Sequence, residues 1–223
     1  MRGLEWRVLE AMSLFNNLWG VPIYKENVNY TYSNFDKDTQ DFVDKYIENT
    51  KPFSGLGGVK IFKAEGRFLE NPELEKIKDL VNQHAQIFRD RIMECTNELQ
   101  MSASWITVNH KGDVHDQHKH PHAIFSVCYY PKVESGELKL LAPDYKNTFE
   151  KDYYLGFSYS KCNIWNSRTW SIPVLSGDIV IFPGWVVHHT TPNESDTPRL
   201  MIGANYWLKG EMKFSDELDS ITI

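Results

Sequence analysis

The spacing of apolar residues divides the chain near residue 100. Ahead of that point it is helical. Phe42, Val43, Tyr46 and Ile47 fall on one face of a helix over residues 38–49, and Gly55, Gly57 and Gly58 mark a loop after it. A longer stripe of Leu74, Ile77, Leu80, Val81, Ile87, Phe88, Ile92, Cys95 and Leu99 predicts a core-facing helix. Its start reads Asn71-Pro72-Glu73, a cap followed by a first-turn proline and an acid. From Ser102 the pattern turns to short apolar runs broken by turn residues. Residues 105–109, 124–130, 137–141, 179–182 and 199–208 read as strands, with turns at Ser135-Gly136 and Ser176-Gly177-Asp178. Short strands separated by turns predict a β-sandwich or jelly roll, with the helix of residues 74–99 packed outside it. The expected fold class is mainly β with flanking helices.

The expected organisation is a single domain over residues 1–223. N-terminal strands and supporting helices occupy 1–100, the β core 101–210 and a C-terminal tail 211–223. Residues 147–170 are long, aromatic and polar, as in a substrate-facing lid.

Composition narrows the class. A content of 41% hydrophobic and 13% aromatic residues in 223 positions belongs to a folded globular chain. The net charge of −6 gives no electrostatic reason to expect nucleic acid. No apolar run approaches a membrane span. Cys95, Cys128 and Cys162 form no CxxC pair, which suits a reducing compartment. Residues 1–18 are interrupted by Glu5, Arg7 and Glu10, so they do not read as a secretory signal. The expected location is therefore the cytoplasm, or the host cytoplasm if the chain is phage-encoded. Met12 is an alternative start that would make residues 1–11 dispensable. A homodimer is left open.

The histidines carry the chemistry. Five of eight lie between His110 and His122, and His188 and His189 form a second group. His118 and His120, two apart on a strand end limited by Pro121, point to the same side and can converge on one metal, with Lys119 facing away. The second group follows the apolar run Ile179–Phe182 and the break Pro183-Gly184, and only one of its two histidines is expected to be a ligand. Arg199 opens a strand whose alternation places Arg199, Met201, Gly203 and Asn205 on one face. An arginine there suits a carboxylate, and Gly203 would leave room for a ligand beside it.

The ordered set His118-x-His120-Pro121, Ser126-Val127-Cys128-Tyr129-Tyr130, Ser135-Gly136-Glu137-Leu138, Gly177 to Trp185, His188, and Arg199 to Asn205 resembles the Fe(II)/2-oxoglutarate-dependent oxygenases. It is nearest to the group found in bacteria and tailed phages, and more distantly similar to prolyl hydroxylases. The resemblance covers about residues 103–208. It implies a double-stranded β-helix of jelly-roll, cupin-like form, with Fe(II) at its open end. It also implies 2-oxoglutarate and O₂ as co-substrates and an organic substrate that the sequence does not name. On this resemblance His118, His120 and His188 hold the metal, and Arg199 grips 2-oxoglutarate with Tyr130 assisting. Asn109 and Asn205 join the cofactor-binding set, and Trp105 and Trp185 the walls. The commoner family pattern has a carboxylate where His120 stands. Either His120 or a nearby carboxylate such as Asp116 completes the site, and Asp113 is also close in sequence. Two further readings stay open. One is a three-histidine cupin-type dioxygenase without 2-oxoglutarate, against which Arg199 argues. The other is a non-catalytic β-sandwich module.

Overall fold

Alternation along the long strands sorts their side chains onto two faces. In the computed structural model, which describes residues 20–50, 53–54, 60–62, 66–143, 157–213 and 220–222, the principal strands are β1 (Tyr24–Asn27), β2 (Phe53–Ser54), β3 (Lys60–Phe62), β4 (Leu99–Asn109), β5 (Phe125–Lys132), β8 (Asp178–Pro183) and β10 (Arg199–Leu208). They form one seven-stranded antiparallel sheet in the order β1-β8-β5-β10-β4-β3-β2. A three-stranded sheet, β7 (Thr169–Pro173), β6 (Glu137–Leu141) and β9 (His188–Thr190), covers part of one face in the order β7-β6-β9. The chain is thus a mainly β jelly roll with flanking helices, as the strand pattern predicts.

The other face of the large sheet is covered by helices. Ile106, Val108, Phe125, Val127, Tyr129, Ile179, Ile181, Leu200, Ile202 and Ala204 pack there against α1 (Lys37–Asn49) and α2 (Glu75–Phe88). Asp36 caps α1 by accepting from the Thr39 amide at 3.0 Å. Along α2, Ile77, Val81, Ala85 and Phe88 are buried, and Phe88 meets Phe125 with ring centroids 5.0 Å apart. The stripe therefore does place a helix outside the sandwich. The intervening alternation points Cys128, Tyr130, Val180, Phe182 and Met201 inward, onto Leu138, Leu140, Ile172 and Val174 of the small-sheet side.

Several expectations are corrected. The helix begins with a 3₁₀ turn, Pro72–Leu74, and Asn71 does not cap it: its side-chain amide donates back to the Phe68 carbonyl at 2.6 Å. The regular helix stops at Phe88, passes through a π turn over Arg89–Met93 and ends at Glu94 in the left-handed region. Ile92 is exposed and Leu99 already belongs to β4, so both leave the predicted stripe. The tail contains a hairpin of β11 (Glu211–Lys213) and β12 (Ser220–Thr222). Expectations placed on residues 1–19, on the glycines at 55, 57 and 58, and on residues 147–156 of the lid lie outside the described residues.

Candidate metal centre

His118 and His120 lie in the connection from β4 to β5, not in a named strand. The segment is nevertheless extended, because it borrows a partner. His118 and His188 exchange backbone hydrogen bonds of 3.0 and 2.9 Å, and the His115 carbonyl accepts from Thr190 at 3.0 Å. This short piece of chain thus adds itself to the edge of β9. The His120 amide donates to the Gly184 carbonyl at 2.8 Å. Two-residue alternation survives, with His118 and His120 facing inward and Lys119 exposed. On β9, His188 is buried, while His189 sits opposite Lys139 in the next register position and points the other way.

The result brings three imidazoles together. One nitrogen from each of His118, His120 and His188 lies within 4.8 Å of the others, a spacing able to hold a metal ion. In each ring Nδ1 is already engaged. His118 Nδ1 meets the Asp116 carbonyl at 2.7 Å and His188 Nδ1 the Val186 carbonyl at 3.0 Å. His120 Nδ1 meets Asn205 Oδ1 at 2.8 Å and Ser126 Oγ at 2.5 Å. Acceptors at Nδ1 place the ring proton there and leave the lone pair of Nε2 free for a metal. Burial pushes the pKa of His120 down to about 4, and those of His118 and His188 also below the ordinary value, with neighbouring imidazoles adding to the shift at His120 and His188. The three rings are therefore neutral and ready to ligate. Asp116 is exposed and meets His118 through its carbonyl, while the Asp113 carboxylate accepts from the His110 amide.

Arg199 lies beside it, with Thr190 Oγ1 accepting from both its guanidinium and the His115 amide. Asn109 ends β4 directly opposite Arg199, the first residue of β10. Arg199 is 1% exposed, and its guanidinium donates to the Ser135 carbonyl at 3.3 Å, Thr190 Oγ1 at 3.1 Å and the Thr191 carbonyl at 3.1 Å. All three acceptors are neutral. Among the described residues, no carboxylate pairs with it, although a buried guanidinium without a counter-charge is costly. Asn109 is 2% exposed and its Nδ2 has no hydrogen-bond partner. An unpaired buried cation and an orphaned buried donor at one register position are what a bound carboxylate would satisfy. Tyr130 is buried nearby, with its hydroxyl held neutral because burial raises its pKa well above the ordinary value.

One expectation about this face is reversed. The space over Gly203 belongs to Trp105, its partner across β4 and β10, and a Cβ there would sit 2.4 Å from the indole. Trp105 in turn stands edge-on to His120, 5.4 Å between centroids. Trp105, His115, His118, His120 and Asn205 line a cleft of about 270 Å³. Trp185 is 45% exposed and does not line it. A second, apolar cleft of about 370 Å³ lies between β1 and β7, lined by Ile23, Leu140, Trp165, Trp170, Ile172 and Val186.

Four residues escape sequence reasoning. His115 stacks on His118 at 3.9 Å, and burial pushes its pKa down to about 3. Ser126 reaches His120, and Thr190 reaches Arg199. Gly136 gives passage to the guanidinium, since a Cβ there would fall 1.8 Å from Arg199 Nη1. The turn Ser135-Gly136 was a signal for a bend, but not for what passes beneath it.

Residues 103–205 match a family model described as "Putative 2OG-Fe(II) oxygenase". Over these residues the chain is similar to the 2OG-Fe(II) oxygenases. Solved structures of this class share the fold. A Burkholderia pseudomallei oxidoreductase of the 2OG-Fe(II) oxygenase family aligns at 13% identity over 82% of this chain and 83% of its own, with a TM-score of 0.53. A Pseudomonas putida prolyl-4-hydroxylase aligns at 10% identity over 85% and 94%, TM-score 0.54. HygX from Streptomyces hygroscopicus, solved with nickel and 2-oxoglutarate bound, aligns at 11% identity over 83% and 82%, TM-score 0.55. No curated protein matches the sequence significantly. Fe(II), 2-oxoglutarate and O₂ are the cofactor and co-substrates that this match carries, and the three-histidine group is able to hold the metal. Among the described residues, no helix is long and apolar enough to cross a membrane.

Proposed function

We propose that His118, His120 and His188 hold Fe(II), that Arg199 grips 2-oxoglutarate with Asn109 and Tyr130 assisting, and that the oxygenase hydroxylates an organic substrate. The observation that carries this reading is the meeting of three neutral imidazoles beside a buried arginine that lacks a carboxylate partner among the described residues. When bound, Fe(II) with O₂ supplies oxidising chemistry that converts 2-oxoglutarate to succinate and CO₂ and delivers oxygen to a substrate C–H bond.

The residues do the rest. His118, His120 and His188 would hold the metal through three neutral nitrogens. The planar fork of Arg199 suits a carboxylate, and its burial strengthens that attraction. Asn109 Nδ2 supplies a further donor, and Tyr130 donates as a neutral phenol. Trp105 walls the site from water. Among the described residues, the cleft lining contains Lys119 and His122 and no acidic side chain, which favours a neutral or anionic substrate. Within the lid expected over residues 147–170, exposed Trp165 and Trp170 border the second cleft, whose lining also contains Val186, the acceptor for His188. The chain works as one domain in which α1 and α2 brace the jelly roll. Its unpaired Cys95, Cys128 and Cys162 suit the cytoplasm.

The test is anaerobic reconstitution with Fe(II), addition of 2-oxoglutarate and air, and detection of succinate by NMR. Succinate that depends on Fe(II) is expected even without the hydroxylation substrate. A folded chain that takes up iron but binds no 2-oxoglutarate would favour a cupin-type dioxygenase, and one that takes up neither a non-catalytic module.

A further inference from the structure

His118 and His188 are oriented by main-chain carbonyls, which any sequence supplies. His120 is held differently. Its Nδ1 faces two side chains, Ser126 on β5 and Asn205 on β10, which are direct cross-strand partners. Ser126 is fully buried, and its hydroxyl donates to Asn205 Oδ1 at 2.8 Å. That hydrogen bond spends the single serine proton, and an amide oxygen has none to give. The hydrogen between His120 Nδ1 and this pair must therefore come from the imidazole. Nε2 is then left with its lone pair, on the side of the ring that meets His118 and His188.

We propose that Asn205 and Ser126 are positioning residues that fix His120 in its Nδ1–H tautomer and so make it the third metal ligand. The inference rests on the three-histidine reading of the site. A carboxylate at position 120 would have no tautomer to choose, so it would not need this pair. A histidine there does need it. With the opposite tautomer, Nε2 carries hydrogen and ligation is blocked. Asn205 therefore acts through His120 and need not touch 2-oxoglutarate or substrate.

Substitution at 205 separates the roles. Asn205→Asp can only accept, so it preserves the acceptor while removing any donor that a bound carboxylate would use. Asn205→Leu removes both. Ring-nitrogen NMR of the metal-free chain reads which nitrogen of His120 is protonated, and titration with Co(II) reads metal affinity without turnover. The parent and Asn205→Asp should both hold the Nδ1–H form, with the Asp variant binding Co(II) at least as tightly because an anionic partner raises ligand basicity. Asn205→Leu should populate both tautomers and bind Co(II) about 10–100-fold more weakly, the usual effect of losing such a partner. Ser126→Ala should shift both readouts the same way by less. The proposal is overturned if folded Asn205→Leu keeps the parent's tautomer and affinity, or if Asn205→Asp loses as much as Asn205→Leu. A parent that binds Co(II) without perturbing the His120 ring would overturn it together with the three-histidine site. Failure of the oxygenase reading looks different: Co(II) bound, His120 locked, and no affinity for 2-oxoglutarate.

Discussion

At the scale of single residues, chemistry at this site depends on which groups have partners. Arg199 is buried among neutral oxygens, and 2-oxoglutarate is proposed as its missing carboxylate. Removing one member of a desolvated charge pair costs about 2–5 kcal/mol. Arg199→Ala should therefore weaken 2-oxoglutarate binding by orders of magnitude in calorimetry while leaving Co(II) binding within a few-fold of the parent. Lysine at 199 should rescue only in part, because it keeps charge and loses the fork. Equal loss of metal and 2-oxoglutarate would mean that Arg199 supports the fold and not the ligand. The adjacent histidines provide a second contrast. His188 is buried against Phe182, whose ring lies 4.7 Å away, whereas His189 is directed elsewhere by strand alternation. His188→Ala should abolish most metal uptake and His189→Ala should not. The reverse result would reassign the ligand.

At the scale of elements, legibility followed burial on both faces. β4, β5, β8 and β10 carry apolar side chains on the helix side and a mixed set on the site side, so their β character survives in the sequence as near-continuous runs. β1, β7 and β9 read Tyr-Lys-Glu-Asn, Thr-Trp-Ser-Ile-Pro and His-His-Thr. They are short and polar, and only their neighbours make them strands. The site divides the same way. His118, His120, His188 and Arg199 could be picked out by spacing and order, whereas Ser126, Gly136 and Thr190 acquire their contacts from cross-strand register and tight turns. An unread polar contact also joins α2 to β1. His84 is buried, its Nδ1 lies 2.7 Å from the Tyr24 hydroxyl, and that hydroxyl donates to Glu26. Burial lowers the His84 pKa, with Glu26 opposing. The folded-state value is thus below the unfolded one of about 6.5. Below that pH the unfolded chain binds the extra proton, so stability falls with acidity and is restored as pH rises. Denaturant titrations of the metal-free chain should show the parent losing stability relative to His84→Gln between about pH 7.5 and about pH 5. A pH-independent difference would assign His84 a purely packing role.

At the scale of the whole molecule, the candidate centre is where the two sheets are stitched together. His188 begins β9 of the small sheet, while His118 and His120 come from the connection between two strands of the large one. Arg199 starts β10 of the large sheet and bonds to Thr190 of β9 and to Thr191 just beyond it. The β8–β9 connection is braced from the other side by the His120 amide on Gly184. A metal bound here would tie together segments that the backbone joins only through long excursions, and the tie exists only in the folded state. Binding to the native chain alone stabilises it by about 2.7 kcal/mol at a free ligand concentration of 100 times Kd. For a chain of this length, that corresponds to a rise in Tm of roughly 5–11 °C. Anaerobic thermal unfolding should therefore move up with Fe(II) or Co(II), move up again when 2-oxoglutarate is added, and fall back with chelator. The two steps should separate by mutation, because they use different residues. His188→Ala should abolish the metal step and, with it, most of the 2-oxoglutarate step. Arg199→Ala should keep the first and lose the second. A metal-induced rise that persists in a triple replacement of His118, His120 and His188 would place the stabilising ion elsewhere on the chain. A 2-oxoglutarate step of parental size in Arg199→Ala would remove the arginine from the clamp, leaving Asn109 and the metal to account for that binding.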